Sequence, residues 1–155
     1  AAMSPFNAFM FIQGMETLHL RMKEHSANGQ KVAEHLSKHP MVERVAYPGT
    51  SSGLPKERAD KYLSNGCGGL LGFEIKGGHE AGKKFINSLE MLYHVANIGD
   101  SRSLAIHPAS TTHSQLNEEE LASGGISSGY IRLSIGLEHI DDILADIDQA
   151  LAKAE

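Results

Sequence analysis

The 155-residue chain has no tryptophan and one cysteine. No apolar run in it approaches the roughly 20 residues that a membrane-spanning helix needs. A single cysteine excludes an internal disulfide and suits a reducing compartment, so a cytoplasmic location is expected. That residue, Cys67, sits in the stretch GCGGL, where a small residue at a strand edge is a better reading than a reactive thiol. Positive charge is also short. Fourteen Lys and Arg stand against 19 Asp and Glu, for a net charge of −5, with no basic run. Nucleic acid is therefore not an expected partner, and neither is a membrane. The first residues lack the charged region and apolar core of a secretory signal. Despite 16 glycines, neither G-x-G-x-x-G nor G-x-x-x-x-G-K-[ST] occurs, so no phosphate cradle is expected. The remaining composition, 41% apolar and 21% charged, is that of an ordinary globular chain with the length of one domain.

Ser4-Pro5 has the form of a helix start, with serine as the cap and proline at the first helical position. Apolar or small residues recur at helical spacing through Phe11, Met15, Leu18 and Met22, and again at Val32, Ala33 and Leu36. One helix is expected over about residues 5–38, and at 1.5 Å per residue it would run roughly 50 Å. A globule of this length has a diameter of about 39 Å, so the helix would overhang its own domain. Its first turns, PFNAFMFI, are apolar nearly all round and need covering by something the chain does not contain. The chain is thus expected to be a fragment whose N-terminal side faces another domain or subunit. The division expected is 1–38 as a linking helix and 39–155 as a small domain.

Strands are expected at MVERVAYP, GGLLGFEIKGG, LYHVANIG, SLAIHP and YIRLSIGLE. Helices are expected at PKERADKYL, HEAGKKFINSLE and HIDDILADIDQALAKA. In the last strand Ile131, Leu133 and Ile135 face one way and Tyr130, Arg132 and Ser134 the other. Asp141 and Asp142 begin the last helix, where they complement its positive end. The order predicts an α+β fold, with one sheet covered by helices on one face and open on the other.

The stretch HPASTTHSQ, residues 107–115, invites a chemical reading, but that reading is poorly supported. His107 and His113 lie on a proline-containing loop without a set of further ligands. His35 and His39 are four apart but lack the Glu pattern of a zinc peptidase. No metal site is expected. A serine nucleophile there lacks the G-x-S-x-G elbow. In SQLNEEEL, Asn117 and Glu120 have capping-box spacing, so the three glutamates need no catalytic role. Arg132 is different, since it interrupts an apolar strand on the open face. Two readings stay open from the residues alone: a packed stem with its head in water, or a planar receptor for a carboxylate or phosphate.

ANIGDSRSLAIHPASTTHSQL followed by IRLSIGLEHIDDILADIDQAL resembles the C-terminal domain of the pyridoxal-phosphate-dependent enzymes of cysteine and methionine metabolism. These are the transsulfuration enzymes, which include cystathionine synthases and lyases and methionine gamma-lyase. SPFNAFMFIQGMETLHLRM and VAYPG are similar as well, so the likeness covers essentially the whole chain. Where lyases typically read S-L-G-x-x-E-[ST]-L, this chain reads Asn97 to Leu104 as NIGDSRSL, and with STTH that looks like the O-acetylhomoserine sulfhydrylase branch.

The resemblance implies the small, substrate-closing domain of a fold-type I enzyme, with a mainly antiparallel sheet and a preceding interdomain helix. Pyridoxal phosphate would be held as a Schiff base by a lysine of a separate N-terminal domain, since no lysine here lies in the S-x-T-K context. It implies that Arg132 binds the substrate α-carboxylate, assisted by residues at Asn97 and Thr112. It implies no catalytic, cofactor-binding or metal-binding residue within this chain. It also implies a small amino-acid substrate as partner, a homotetrameric full-length enzyme and a fragment that is inactive alone. The reaction implied is γ-replacement of acetate by sulfide or a thiol. The alternatives are a cystathionine synthase or lyase, a methionine gamma-lyase, or a stand-alone amino-acid-binding module.

Overall fold

A computed structural model describes residues 2–155. The helix α1 spans Pro5–Glu16, and Ser4 Oγ accepts from Asn7 N–H at 3.2 Å as the sequence suggests. The helix does not run unbroken to residue 38. It stops at Thr17 (φ −104°, ψ 4°), and α2 covers Leu18–Leu36. Gly14 and the β-branched Thr17 are both weak helix formers. Arg21 offsets the break, donating to the Gly14 carbonyl at 2.9 Å and to Thr17 Oγ1. Spacing alone does not show the repair, which depends on one side chain reaching back seven residues.

The sheet formed by the described residues has five strands, β1 (Val42–Ala46), β2 (Leu70–Ile75), β3 (Tyr93–His94), β4 (Leu104–Ile106) and β5 (Tyr130–Ser134). Their order is β1-β2-β5-β4-β3. All pairs are antiparallel except β3 with β4, so the sheet is mainly antiparallel, as expected. The strand expected over LYHVANIG is much shorter. Beyond Val95, whose N–H still bonds Ala105 O, Asn97 N–H turns back to Val95 O and Gly99 takes φ +77°. The segment leaves the ladder there.

Three helices cover one face: α2, α4 (Gly78–Ser88) and α6 (Ile140–Ala154). Period-2 alternation sends Leu71, Phe73 and Ile75 of β2, and Ile131 and Leu133 of β5 with the following Ile135, into a core shared with Phe85, Ile143, Ile147 and Leu151. Phe73 and Phe85 meet edge to face at 5.4 Å. Two smaller helices, α3 (Gly53–Tyr62) and α5 (Glu118–Ser123), lie outside this layer; α3 packs on the Pro48–Thr50 turn. The capping box of α5 forms as its spacing predicts, between Asn117 and Glu120.

Polar contacts tie the layers together. Asp146 of α6 accepts the N–H groups of Glu90, Met91 and Leu92, each at 2.9 Å, and so fixes the turn that follows α4. Burial pushes its carboxyl up, but these bonds and one from Gln149 outweigh burial and hold it below the ordinary value. On α2, His25 bonds Ile135 O at 2.6 Å and Asn28 donates to Gly136 O and Glu138 O, which locks the helix to the end of β5. None of the described residues of α1 is buried, and no helix among the described residues is long and apolar enough to cross a membrane.

Candidate functional site

The face of the sheet turned away from the helices carries a polar band. Arg44 of β1 pairs with Glu74 of β2 at 2.7 Å across matched register positions. Tyr130, Arg132 and Ser134 of β5 follow on the same face. Gly72 lies directly opposite Arg132. A side chain at Gly72 would overlap the Tyr130 ring, so the glycine is what lets this half-buried tyrosine lie over the strand.

Arg132 is half-buried in the middle strand of the sheet. One Nη donates to the main-chain carbonyl of Asn97 at 3.2 Å. Its Nε is buried and, among the described residues, has no hydrogen-bond partner. A buried guanidinium N–H without an acceptor costs free energy. A carboxylate offers two acceptor oxygens in the plane of the guanidinium fork, and among the described residues the terminal nitrogens of Arg132 bond Asn97 O alone.

The residues expected to assist Arg132 are placed unequally. Asn97 reaches it, through the backbone carbonyl. Thr112 does not. It is exposed, and its hydroxyl is hydrogen-bonded to His113 Nδ1 at 2.9 Å instead. The backbone contact cannot be read from the asparagine's side chain and depends on the path of residues 95–101. Because β4 lies between β3 and β5, that segment must pass over β4 to reach Arg132. Leu104 and Ile106, which share the open face with Ser134 and Arg132, are buried.

Two further residues hold this region and were not singled out in the sequence. Ser134 Oγ accepts Gly99 N–H at 3.1 Å. Glu138 accepts both the N–H (2.6 Å) and the hydroxyl (2.8 Å) of the fully buried Ser103, whose oxygen in turn accepts Gly136 N–H. Beside them, Arg102 pairs with Asp100 and stacks on Tyr93 at 4.5 Å, and the guanidinium holds the Asp100 carboxyl below its usual range.

His107, the residue of 107–115 that looks most reactive, is fully buried. Its Nε2 bonds Ser128 O at 2.7 Å and its Nδ1 meets Ser110 Oγ at 2.8 Å. Since a carbonyl only accepts, Nε2 carries the proton and the neutral ring accepts from the serine. Burial lowers the pKa of the ring below the ordinary histidine value. Both nitrogens are used in joining two loops, which leaves neither for a base or a metal ligand. His35 is likewise engaged, with Asp148 at 2.6 Å. The site therefore has a positioned cation and fixed backbone groups. It can bind and orient an anion. No lysine is among the side chains of this polar band, so the band offers no Schiff-base partner.

The sequence model of the Cys/Met metabolism PLP-dependent enzymes matches residues 1–152. The chain is 57% identical over 151 residues to the O-acetyl-L-homoserine sulfhydrylase of Leptospira meyeri, covering 97% of this chain and 34% of that protein. It is 47% identical to the L-methionine gamma-lyase of Pseudomonas putida, covering 97% of this chain and 38% of the lyase. A Campylobacter jejuni crystal structure matches with TM-score 0.89 and 46% identity, over 98% of this chain and 36% of that one. That structure is described as a candidate O-acetylhomoserine (thiol)-lyase carrying N′-pyridoxyl-lysine-5′-monophosphate. The chain spans about a third of the length of the curated relatives it matches.

Proposed function

Because this chain belongs to the pyridoxal-phosphate-dependent enzymes of Cys/Met metabolism, we propose that it is the C-terminal, substrate-closing domain of an O-acetylhomoserine sulfhydrylase. The intact enzyme converts O-acetyl-L-homoserine and sulfide, or a thiol, to homocysteine or methionine plus acetate. The observation that carries this reading is Arg132, half-buried on the open face of the sheet with one Nη anchored on Asn97 O. The identity to sulfhydrylases supports the branch.

Pyridoxal phosphate, when bound by the rest of the enzyme, serves as an electron sink for charge that develops on the amino-acid carbons. The residues of this chain do something else. Arg132 takes the α-carboxylate in its planar fork. The Asn97 carbonyl holds one arm of the fork still, so the ligand meets a fixed donor set. Holding the carboxylate fixes which bond at the α-carbon is correctly aligned, which is a positioning contribution. Thr112 assists only if its hydroxyl exchanges His113 for the ligand. The 1–38 segment joins this domain to the cofactor domain, and the working enzyme is a cytoplasmic homotetramer.

The test is steady-state kinetics of the full-length enzyme with Arg132→Ala. KM for O-acetyl-L-homoserine should rise roughly 10- to 100-fold, the scale of a lost charge-assisted pair. Unchanged kinetics would remove the assignment. Assays with methionine and no sulfur donor separate the sulfhydrylase from a lyase that eliminates from the γ-carbon.

A further inference from the structure

Residues 95–101 leave the edge strand β3 and are held over the sheet by Arg132 and Ser134 of β5 and, at their far end, by Leu137, whose N–H donates to Ser101 O at 2.8 Å. Asn97 O accepts from Arg132, and Gly99 N–H donates to Ser134 Oγ at 3.1 Å. Arg132 and Ser134 are two residues apart on one strand, so their side chains rise from the same face. Gly99 has φ +77°, a backbone conformation that side-chain-bearing residues rarely adopt. Ser134 is buried at 4% exposure, beneath the segment it holds. Asn97 and Gly99 are separated by one residue, so the position of one anchor constrains the other.

We infer that Ser134 is a positioning residue for the substrate carboxylate: by holding Gly99 it keeps the Asn97 carbonyl against Arg132 and so sets the direction of the guanidinium. The inference rests on the carboxylate reading of Arg132. Without the serine, residues 97–99 can lift from the strand. The Asn97 carbonyl then no longer restrains the fork, and the arginine samples rotamers that do not face the ligand. A serine that only closed the loop would change stability and leave substrate binding alone.

The experiment compares Ser134→Ala, Ser134→Thr and Arg132→Ala in the full-length enzyme. Ser134→Ala should raise KM for O-acetyl-L-homoserine about tenfold with kcat within about twofold, as expected when orientation is lost and the reacting groups stay in place. Ser134→Thr keeps the hydroxyl and should recover most of the loss. Amide exchange at residues 97–99 should speed up in Ser134→Ala and not in Ser134→Thr. If Arg132→Ala raises KM and Ser134→Ala does not, Ser134 merely closes the loop, and this inference falls while the carboxylate reading stands. If Arg132→Ala leaves KM unchanged, both fall. Should Ser134→Ala fail to fold, Ser134→Cys, nearly isosteric and a weaker acceptor, carries the same comparison, and an unchanged KM there is equally contrary.

Discussion

His107 shows how a residue that looks chemical in sequence becomes structural in the fold. With both ring nitrogens bonded and the ring fully buried, its neutral form belongs to the native state. Its native pKa lies below the ordinary 6.5, so near and below that pH the unfolded chain binds more protons than the native one. Stability from this residue is therefore present above about pH 6.5 and lost as pH falls toward the native pKa. The urea midpoint of the chain should fall more steeply between pH 7 and pH 5 than that of His107→Leu; equal slopes would show that the ring is not held neutral. Gly72 constrains the site through space. Gly72→Ala must displace the Tyr130 ring next to Arg132, and we expect a cost of about 1–3 kcal/mol by urea denaturation. Arg132 was recognisable as an outlier because it breaks the apolar run of its strand. Its contact with the Asn97 carbonyl was not, since that depends on where residues 95–101 cross.

Elements were legible where one periodicity dominates. The alternation of β5 and the amphipathic run of α6 each have a single burial solution, and both appear where the spacing puts them. The break at Thr17 and the short β3 were not legible from periodicity, because the first follows from weak helix formers inside an apolar run and the second from a backbone turn at residues 95–99. Asp146 is the extreme case. Its carboxylate anchors the turn at 90–92, more than 50 residues earlier in the chain, through three backbone N–H groups. In the sequence it is only one of several aspartates on an amphipathic helix. Asp146→Ala should destabilise the chain by about 3 kcal/mol in denaturant unfolding, because it leaves three buried or half-buried donors without an acceptor. A change below about 0.5 kcal/mol would mean that water replaces the carboxylate.

At the scale of the molecule, two surfaces are unlike the rest. One is α1, with Phe6 at 70% exposure and Phe9, Phe11 and Ile12 each more than half exposed. A continuous apolar surface of this kind promotes association. Removing residues 2–16 should lower the apparent mass of the isolated chain in size-exclusion chromatography while leaving its Tm within about 3 °C, since none of the described residues of α1 contributes to the core. A large fall in Tm would show that α1 stabilises the domain itself. The other surface is the open face of the sheet, where Arg132 stands at the centre of a polar band. The helical layer, the register of β2 with β5, and the crossing of residues 95–101 all bear on how that one side chain is presented. What the guanidinium binds therefore decides the role of this face. Full-length enzyme and its Arg132→Ala variant can be compared for O-acetyl-L-homoserine and for its α-carboxamide, which has the same shape without the charge. The native enzyme should prefer the carboxylate by roughly 10- to 100-fold in kcat/KM, and Arg132→Ala should lose that preference. A preference that survives in the variant would place the carboxylate on another residue and contradict the role given to Arg132.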